Sequence, residues 1–304
     1  MRSLILAIQF LTRLPTPQLK TFDPAWLADA ARWFAPVGVL VGAIVWLAVL
    51  AGSLVDPWLA ALAGLLAWLW VTGGLHIDGL ADLADAQGAA HRSRERFLEV
   101  LKDPHLGSFG VLSLATQLIV KLVLLMLLVK LSLAGLSAVP DGMMSPGTPA
   151  SLGALPLPAS PDAPAAYPGY HGYHSGHGQH GDQGGIAATT GLAATLAGLL
   201  LVPAWARLFT VAWSATLPSL AAGSGERFAW RPHWPNFWLC SLLLAAASAW
   251  LAPVLLLAPL AGLCWWAYLK RKLGGMTGDC LGAGIEVCES LLLLALVVAA
   301  RQWH

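Results

Sequence analysis

Long apolar stretches dominate the chain and restrict what it can fold into. Charged residues make up only 11% of the 304 residues, less than half of the roughly 25% that is usual in soluble domains. A helix needs about 20 apolar residues to cross a bilayer. Stretches of about that length or longer cover residues 33–55, 58–75, 109–136, 186–206, 237–269 and 281–300. The sequence therefore predicts an all-α, polytopic transmembrane bundle that is surrounded by lipid.

The positions of the basic residues predict how this bundle is oriented. Several of them precede the first long run, so we expect the N-terminus in the cytoplasm, after a short interfacial helix at 4–11. The run 237–269 is too long for one upright span, and a single crossing would leave the basic residues 270–272 outside. A helical hairpin is therefore predicted there, which gives about seven spans in all. We expect residues 1–304 to form a single integral membrane domain.

Residues 137–185 differ sharply in composition from the rest of the chain. They are rich in Pro, Gly, Ala and Ser and contain no Lys or Arg, which predicts a low-complexity loop on the external side. Between 171 and 180 a histidine recurs at every third position. Flexible imidazoles bind Ni²⁺, Cu²⁺, Zn²⁺ or Co²⁺ loosely. The sequence leaves open whether this string captures metal for a function or only incidentally.

Three carboxylates and a histidine follow the second apolar run directly, within residues 73–85. Asp82 is four residues and Asp85 seven residues after Asp78, so on a helix all three project within an arc of roughly 60°. Carboxylates this close repel one another unless a cation lies among them, and oxygen ligands suit Mg²⁺ or Mn²⁺. The spacing therefore predicts a cation site, with a solvated helix end as the alternative.

A second polar motif, at 274–289, is predicted on the same cytoplasmic face. Asp279 and Glu286 are seven residues apart and share a helix face, and acidic side chains at the start of a span are costly in lipid. Arg207 is expected at the cytoplasmic end of the fourth run. There it either satisfies the bias towards positive charge inside or binds a phosphate bidentately.

Carboxylates that hold a divalent metal, with basic residues nearby, are typical of phosphate transfer. The sequence has no Walker A string, Ser-His-Asp pattern or CxxC, and a net charge of +1 gives no basic surface for nucleic acid. A metal-dependent membrane enzyme acting on a phosphorylated substrate is therefore favoured. One alternative is a divalent cation transporter with an intramembrane acidic site. The other is a CDP-alcohol-type membrane phosphotransferase, whose Asp-Gly-x-x-Ala-Arg string is absent here.

Four strings resemble, in order and spacing, the cobalamin synthase family (adenosylcobinamide-GDP ribazoletransferase). The most specific are Gly-Gly-x-His-x-Asp-Gly-x-Ala-Asp-x-x-Asp at 73–85 and Gly-Gly-x-Thr-Gly-Asp-x-Leu-Gly-Ala at 274–283, and the others lie at 10–17 and 102–110. The sequence departs from the family pattern at Ala86-Gln87-Gly88, where Gly usually follows the third carboxylate. It also departs in the insert 137–185, whose histidines inherit no role.

The resemblance implies the last step of cobalamin nucleotide-loop assembly, in the bacterial inner membrane with the site facing the cytoplasm. The ribose 5′ oxygen of α-ribazole, or of its 5′-phosphate, is expected to attack the cobinamide-side phosphorus of adenosylcobinamide-GDP. GMP then leaves, and Mg²⁺ is required. The sequence leaves open a homo-oligomer and an association with other enzymes of corrinoid assembly.

The motifs and the resemblance together give a set of candidate site residues. Asp78, Asp82 and Asp85 are expected to bind the metal, with Asp82 or Asp85 as general base. His76 is expected to orient a carboxylate or to donate to a phosphate oxygen. Asp279 and Glu286 either complete a second metal site or bind the ribazole. The full set of expected substrate-binding residues is Lys102, Asp103, Arg92, Arg207, Asp279 and Glu286.

Overall fold

The computed structural model describes residues 2–18, 23, 25–89, 93–103, 105–137, 196–221, 226–227 and 232–302. Nearly all of the predicted external loop, including its histidine string at 171–180, lies outside the described residues. Within the described ranges the regular elements are helices, and the one β feature is an isolated bridge between Ser219 and Met276. The predicted all-α class is therefore confirmed.

The helices follow from the apolar runs and from the residues that interrupt them. Three short 3₁₀ turns, Ala31–Trp33, Ala197–Leu200 and Pro253–Leu257, each lead into an α-helix. In the described part of the chain the α-helices are α1 (Arg2–Leu11), α2 (Ala25–Ala30), α3 (Phe34–Ser53), α4 (Pro57–Thr72), α5 (Leu75–Ala89), α6 (Arg94–Val100), α7 (Ser108–Ser137), α8 (Val202–Thr216), α9 (Trp234–Leu251), α10 (Ala258–Lys272) and α11 (Gly278–Gln302).

Six helical segments of the described residues are long and apolar enough to cross a membrane, and there are seven if the bent pair α4 and α5 is one span. The chain is therefore a multi-pass membrane protein. The predicted hairpin at 237–269 is confirmed, because α9 ends at Leu251 and α10 returns after the turn that begins at Pro253. Proline lacks the N–H that a continuing helix would use. The side chain of Trp250 near this turn is 86% exposed, which suits a lipid-facing surface.

A glycine pair separates α4 from α5. The backbone of Gly73 has φ 64° and that of Gly74 has φ 73°, a left-handed conformation that glycine adopts without a steric penalty. The axis of α5 is bent by 84° from that of α4. The second apolar run therefore does not continue as one straight helix into the acidic motif. The motif has its own helix, on which Asp78, Asp82 and Asp85 keep their predicted spacing.

A cluster of buried charges joins α7, α8 and α11 inside the bundle. Lys121 Nζ lies 2.7 Å from a carboxylate oxygen of Glu286 and 2.6 Å from one of Glu289, and Arg207 donates to the other oxygen of Glu289 at 2.7 Å. All four side chains are almost completely buried. Gln117 also donates to Glu286, at 2.9 Å. Two positive and two negative charges balance within the cluster, which limits the cost of burying each charge.

This cluster corrects the predicted position of Arg207. The fourth span was expected to end at residue 206, but it runs over Ala197–Thr216 and carries Arg207 in its middle. The end of the apolar run did not mark the end of the span, because a paired arginine is tolerated within a transmembrane helix. Its partner, Glu289, lies on the last helix of the chain.

Replacing Glu289 with leucine is expected to destabilise the folded protein strongly. The substitution leaves Arg207 without its carboxylate and Lys121 with only Glu286, and removing one partner of a buried ion pair costs about 3–5 kcal/mol. The thermal unfolding midpoint of the purified protein in detergent measures the effect.

Glu99→Leu serves as the matched control for this substitution. Glu99 pairs with Arg96 at 2.8 Å on an exposed surface, where an ion pair contributes about 0–1 kcal/mol. Equal midpoints for the Glu289→Leu and Glu99→Leu proteins would show that the buried cluster does not stabilise the bundle.

Candidate active site

Two glycines bring α5 and α11 into backbone contact. A Cβ atom on Gly79 would lie 3.0 Å from the Cα and carbonyl oxygen of Asp279, and one on Gly282 would lie 3.3 Å from the Cα of His76. These two contacts fix the start of α11 beside the first turns of α5. The two acidic motifs, which are about 200 residues apart in the chain, thereby form one composite site.

The carboxylates of this composite site act on one another electrostatically. Asp82 interacts with Asp78, Asp279 and Asp85, and Asp279 interacts with Asp78. Asp78 is exposed, whereas Asp82 and Asp279 are half-buried, so the negative charge gathers at the edge of the bundle. A positive group that approached this edge would relieve the repulsion.

The donor chemistry of these carboxylates suits a hard divalent cation, but their arrangement is open. Among the described residues, no group of three or more His, Cys, Asp or Glu side chains is arranged to hold a metal ion. Mg²⁺ is commonly held by one or two carboxylates together with phosphate oxygens of a substrate. Asp78 and Asp82 fit such a shared site better than an all-protein cage. Their assignment as metal ligands stays a prediction.

Asp85 has a different set of partners from the other carboxylates of α5. Its two oxygens accept hydrogen bonds from the backbone N–H groups of Gly107 at 2.7 Å and Gly110 at 2.9 Å. These donors lie at the start of α7, where N–H groups have no partner within the helix. Asp85 therefore ties α5 to the N-terminus of α7. Its predicted roles as metal ligand and general base stay predictions, and both oxygens already have this structural role.

A cavity of about 610 Å³ opens beside the break between α4 and α5, and we call it the Arg13 cavity. The Arg13 backbone N–H donates to the carbonyl of Val71 at 2.8 Å, and its side chain lies across Gly73. A guanidinium and the carboxylate of Asp78 thus line the same space. Apart from the string 10–17 of the resemblance, no pattern in the sequence pointed to Arg13. The lining residues are Gln9, Phe10, Thr12, Arg13, Thr72, Gly73, Gly74, Leu75, Ile77, Asp78 and Leu114.

A smaller cavity, of about 120 Å³, shares Phe10 and Leu75 with the Arg13 cavity, and we call it the His76 cavity. His76 lines it with only 3% of its surface exposed, and neither ring nitrogen has a hydrogen-bond partner among the described residues. His76 thus orients no described carboxylate here, and its catalytic role stays a prediction. The lining residues are Phe10, Leu11, Phe34, Leu75, His76, Thr210, Gly278, Asp279, Leu281, Gly282 and Ile285.

Two residues that were expected to bind substrate lie inside the bundle instead. Arg207 and Glu286 are 0% and 4% exposed and belong to the buried charge cluster. Almost no surface of either side chain is in contact with water or lipid, and the substrate-binding roles expected for Arg207 and Glu286 stay predictions. Neither of the two residues lines the Arg13 cavity or the His76 cavity.

Asp279 lies in the composite site described above, and the other expected substrate-binding residues lie in the connection before α7 or outside the described chain. Lys102 and Asp103 are exposed, and their roles stay predictions. The carboxylate of Asp103 accepts a hydrogen bond from the backbone N–H of His105. It also lies 2.6 Å from the Nδ1 atom of the His105 side chain, with which it forms a second hydrogen bond. These two bonds lower the pKa of Asp103. Arg92 lies outside the described residues.

Comparison with known proteins places the chain in a family. The model of the cobalamin-5-phosphate synthase family matches residues 3–151 and 184–297. The chain belongs to this family. The match covers both acidic motifs and the string that contains Arg13, and it omits 152–183 within the predicted external loop.

Curated relatives resemble the chain over almost its whole length. A protein of Laribacter hongkongensis is 54% identical over 99% of this chain and 98% of its own, and one of Thiobacillus denitrificans is 43% identical over 97% and 94%. A protein of Novosphingobium aromaticivorans is 40% identical over 100% and 99%. All three are named adenosylcobinamide-GDP ribazoletransferase. No solved structure matches the chain.

Replacing Gly79 with valine is expected to separate α5 from α11 and to lower the unfolding midpoint. The new side chain would meet the backbone of Asp279, which cannot turn aside as a flexible side chain does. Overpacking of this kind costs about 1–3 kcal/mol. The thermal unfolding midpoint of the purified protein in detergent measures this loss of stability.

Gly278→Val is the matched control, since a Cβ on Gly278 has no atom within 4 Å. A Gly79→Val protein that is as stable as the Gly278→Val protein would show that the close contact between the two helices is not required.

Proposed function

We propose that this chain is an adenosylcobinamide-GDP ribazoletransferase. It transfers the cobinamide-phosphate part of adenosylcobinamide-GDP to α-ribazole or to α-ribazole 5′-phosphate and releases GMP. The names of the full-length relatives support this activity. The structural observation that supports it most is the Arg13 cavity, where a guanidinium and the carboxylate of Asp78 face a common space of about 610 Å³. Diphosphate transfer needs this combination of a cation and a metal-binding carboxylate.

Arg13 binds the diphosphate of the donor in this proposal. A guanidinium donates two parallel hydrogen bonds to phosphate oxygens, which fixes their orientation as well as their position. Arg13 takes over the role that the sequence suggested for Arg207, because Arg13 is exposed and Arg207 is buried.

The attacking oxygen is a secondary hydroxyl of the ribose. The family description names a 5-phosphate product, and a ribose that carries a 5′-phosphate has no free 5′ hydroxyl. The expectation of attack by the 5′ oxygen is therefore replaced. The secondary oxygen forms a bond to the cobinamide-side phosphorus while the bond from that phosphorus to the GMP oxygen breaks. The hydroxyl proton passes to a carboxylate, for which Asp82 is the half-buried candidate on α5.

Asp78 and Asp82 are proposed to hold Mg²⁺, or Mn²⁺ in its place. Such an ion would neutralise negative charge that develops on the phosphate oxygens and on the leaving GMP. The protein supplies the carboxylates on one helix face, and the substrate completes the ligand set, which agrees with the open arrangement of the acidic side chains.

The site is proposed to face the cytoplasm from the bacterial inner membrane. Lys270, Arg271 and Lys272 occupy the last turn of α10, and α11 begins six residues later with Asp279 in its first turn. The basic residues and the acidic site are thus at the same end of the bundle. Basic residues favour the cytoplasmic side.

Release of GMP by the purified protein tests the activity. Full-length protein in detergent, supplied with adenosylcobinamide-GDP, α-ribazole and Mg²⁺, is expected to form GMP without any membrane gradient. Divalent metal uptake into proteoliposomes without GMP formation would favour a transporter instead. A chelator is expected to stop GMP release, and addition of Mg²⁺ is expected to restore it.

In the same assay, Asp82→Asn is expected to lower the rate at least about 100-fold, the lower end of what a general acid–base group contributes. The thermal midpoint should not fall, because Asp82 makes no hydrogen bond within the described residues and the loss of its charge relieves the repulsion from Asp78, Asp279 and Asp85. Glu99→Gln, an exposed substitution on α6, controls for the loss of one charge. Near-normal GMP release by the Asp82→Asn protein would show that Asp82 is not the general base.

Arg13→Lys is expected to raise the KM for adenosylcobinamide-GDP about tenfold and to leave the KM for α-ribazole unchanged. Lysine keeps the charge but loses the fork that binds two phosphate oxygens at once. Arg96→Lys, at an exposed position of α6, is the matched control. A change in the KM for α-ribazole alone would place Arg13 against the other substrate.

A further inference from the structure

His76 is a buried polar group that the structure leaves without a partner. In its neutral form an imidazole carries one N–H donor and one acceptor nitrogen. Both ring nitrogens of His76 are buried and unbonded within the described part of the chain. Nearly all buried polar side chains in native proteins bind protein, water or a ligand. The His76 cavity is the open space that His76 lines, so the missing partner is expected there.

The His76 cavity runs from an exposed rim to a buried floor. Leu75 and Gly278 at the rim are exposed and Asp279 is half-buried, whereas Phe34 and Ile285 are buried. A ligand can therefore enter at the rim and place one end among buried side chains.

The lining of this cavity selects a flat and mostly apolar ligand. Six of its residues are Leu, Ile or Phe, and the rings of Phe10 and Phe34 are nearly parallel, with 4° between their planes and 6.2 Å between their centroids. An apolar cavity of about 150 Å³ binds benzene. At about 120 Å³, this cavity suits one aromatic ring, with the rest of a larger base extending to the rim.

We propose that the His76 cavity binds the benzimidazole base of α-ribazole, and that His76 donates its N–H to the free ring nitrogen of that base. The proposal rests on the proposed function and names the binding site of its acceptor substrate. The free ring nitrogen of the base accepts a hydrogen bond from His76, and the carbon atoms of the base contact the apolar residues that line the cavity.

The donor substrate fits the cavity less well. The guanine of adenosylcobinamide-GDP is also flat, but it has several hydrogen-bond donors and acceptors around its edge. Besides His76, the lining offers only Thr210 and Asp279 as polar side chains. Thr210 already donates to the carbonyl of Arg207 at 2.7 Å. Most of the polar atoms of guanine would therefore be buried without partners, which is costly.

The position of Asp279 connects this site to the reaction. Asp279 lines the rim of the His76 cavity and interacts electrostatically with Asp78 and Asp82. A base inside the cavity leaves its ribose at the rim, beside the carboxylates. The ribose hydroxyl then lies close to the diphosphate in the Arg13 cavity, because Phe10 and Leu75 line both cavities.

The test compares α-ribazole with an analogue in which a C–H replaces the free ring nitrogen, an indole α-riboside. The full-length wild-type protein in detergent is expected to show a KM about tenfold higher for the analogue, the size of one hydrogen bond. His76→Phe should raise the KM for α-ribazole and abolish the difference between the two acceptors. The KM for adenosylcobinamide-GDP should stay unchanged. Equal discrimination in the wild-type and His76→Phe proteins would overturn the proposal.

If the His76→Phe protein does not fold, a second pair of variants tests the proposal. Ile285→Phe fills the His76 cavity and is expected to raise the KM for α-ribazole about tenfold, the cost of removing part of an apolar contact. Leu293→Phe is its control, since Leu293 is buried on the same helix and lines neither cavity. Equal KM values for α-ribazole in these two variants would contradict the proposal. A wild-type protein that releases no GMP with either acceptor would refute the proposed function itself.

Discussion

The bundle depends on a set of charges that balance one another where water is absent. Lys121 lies between Glu286 and Glu289, and Arg207 binds the free oxygen of Glu289. In lipid a lone charge is expensive, so these side chains are compatible with the membrane only when α7, α8 and α11 are in contact. Apolar packing alone would let such helices slide or rotate, because lipid is as apolar as leucine. The charged contacts therefore define how the three helices align.

The active-site region is built on that alignment by contacts of a different kind. Gly79 and Gly282 let α5 approach the backbone of α11, and Asp85 binds the first N–H groups of α7 through Gly107 and Gly110. Helix α5 is thus held to α7 and α11, two of the three helices that carry the buried charges. Its remaining carboxylates face outward beside Asp279. Within this short motif, Asp85 has a structural role, whereas Asp78 and Asp82 are the carboxylates proposed for the chemistry. The spacing of the three residues alone does not show which of them has which role.

Local properties of the sequence predicted most of the fold. The length of an apolar run, the placement of basic residues and an interrupting proline decide where a span begins and turns, so the hairpin at 237–269 was predictable. The break after α4 was not, because a glycine pair is compatible with a continuous helix and with a sharp bend. The partners of Lys121, Arg207 and Asp85 also could not be predicted. The partner of Lys121 and Arg207 lies on a distant part of the chain, and those of Asp85 are backbone N–H groups 22 and 25 residues away. A charged residue shows that a partner is needed without showing which one. Arg13 was missed for a similar reason, since nothing near it in the sequence connects it to Asp78.

The buried charges also bear on how the chain is assembled in the membrane. Glu286 and Glu289 lie on α11, which is made after α7 and α8, the helices that carry their cationic partners. The two carboxylates are therefore never required to wait in lipid for a partner that has not yet been synthesised. The ring of Trp68 on α4, which is made before α7, lies 4.4 Å from the Lys121 ammonium. The helix that completes the charge balance also carries Asp279, so the buried cluster and the acidic site both depend on the placement of α11.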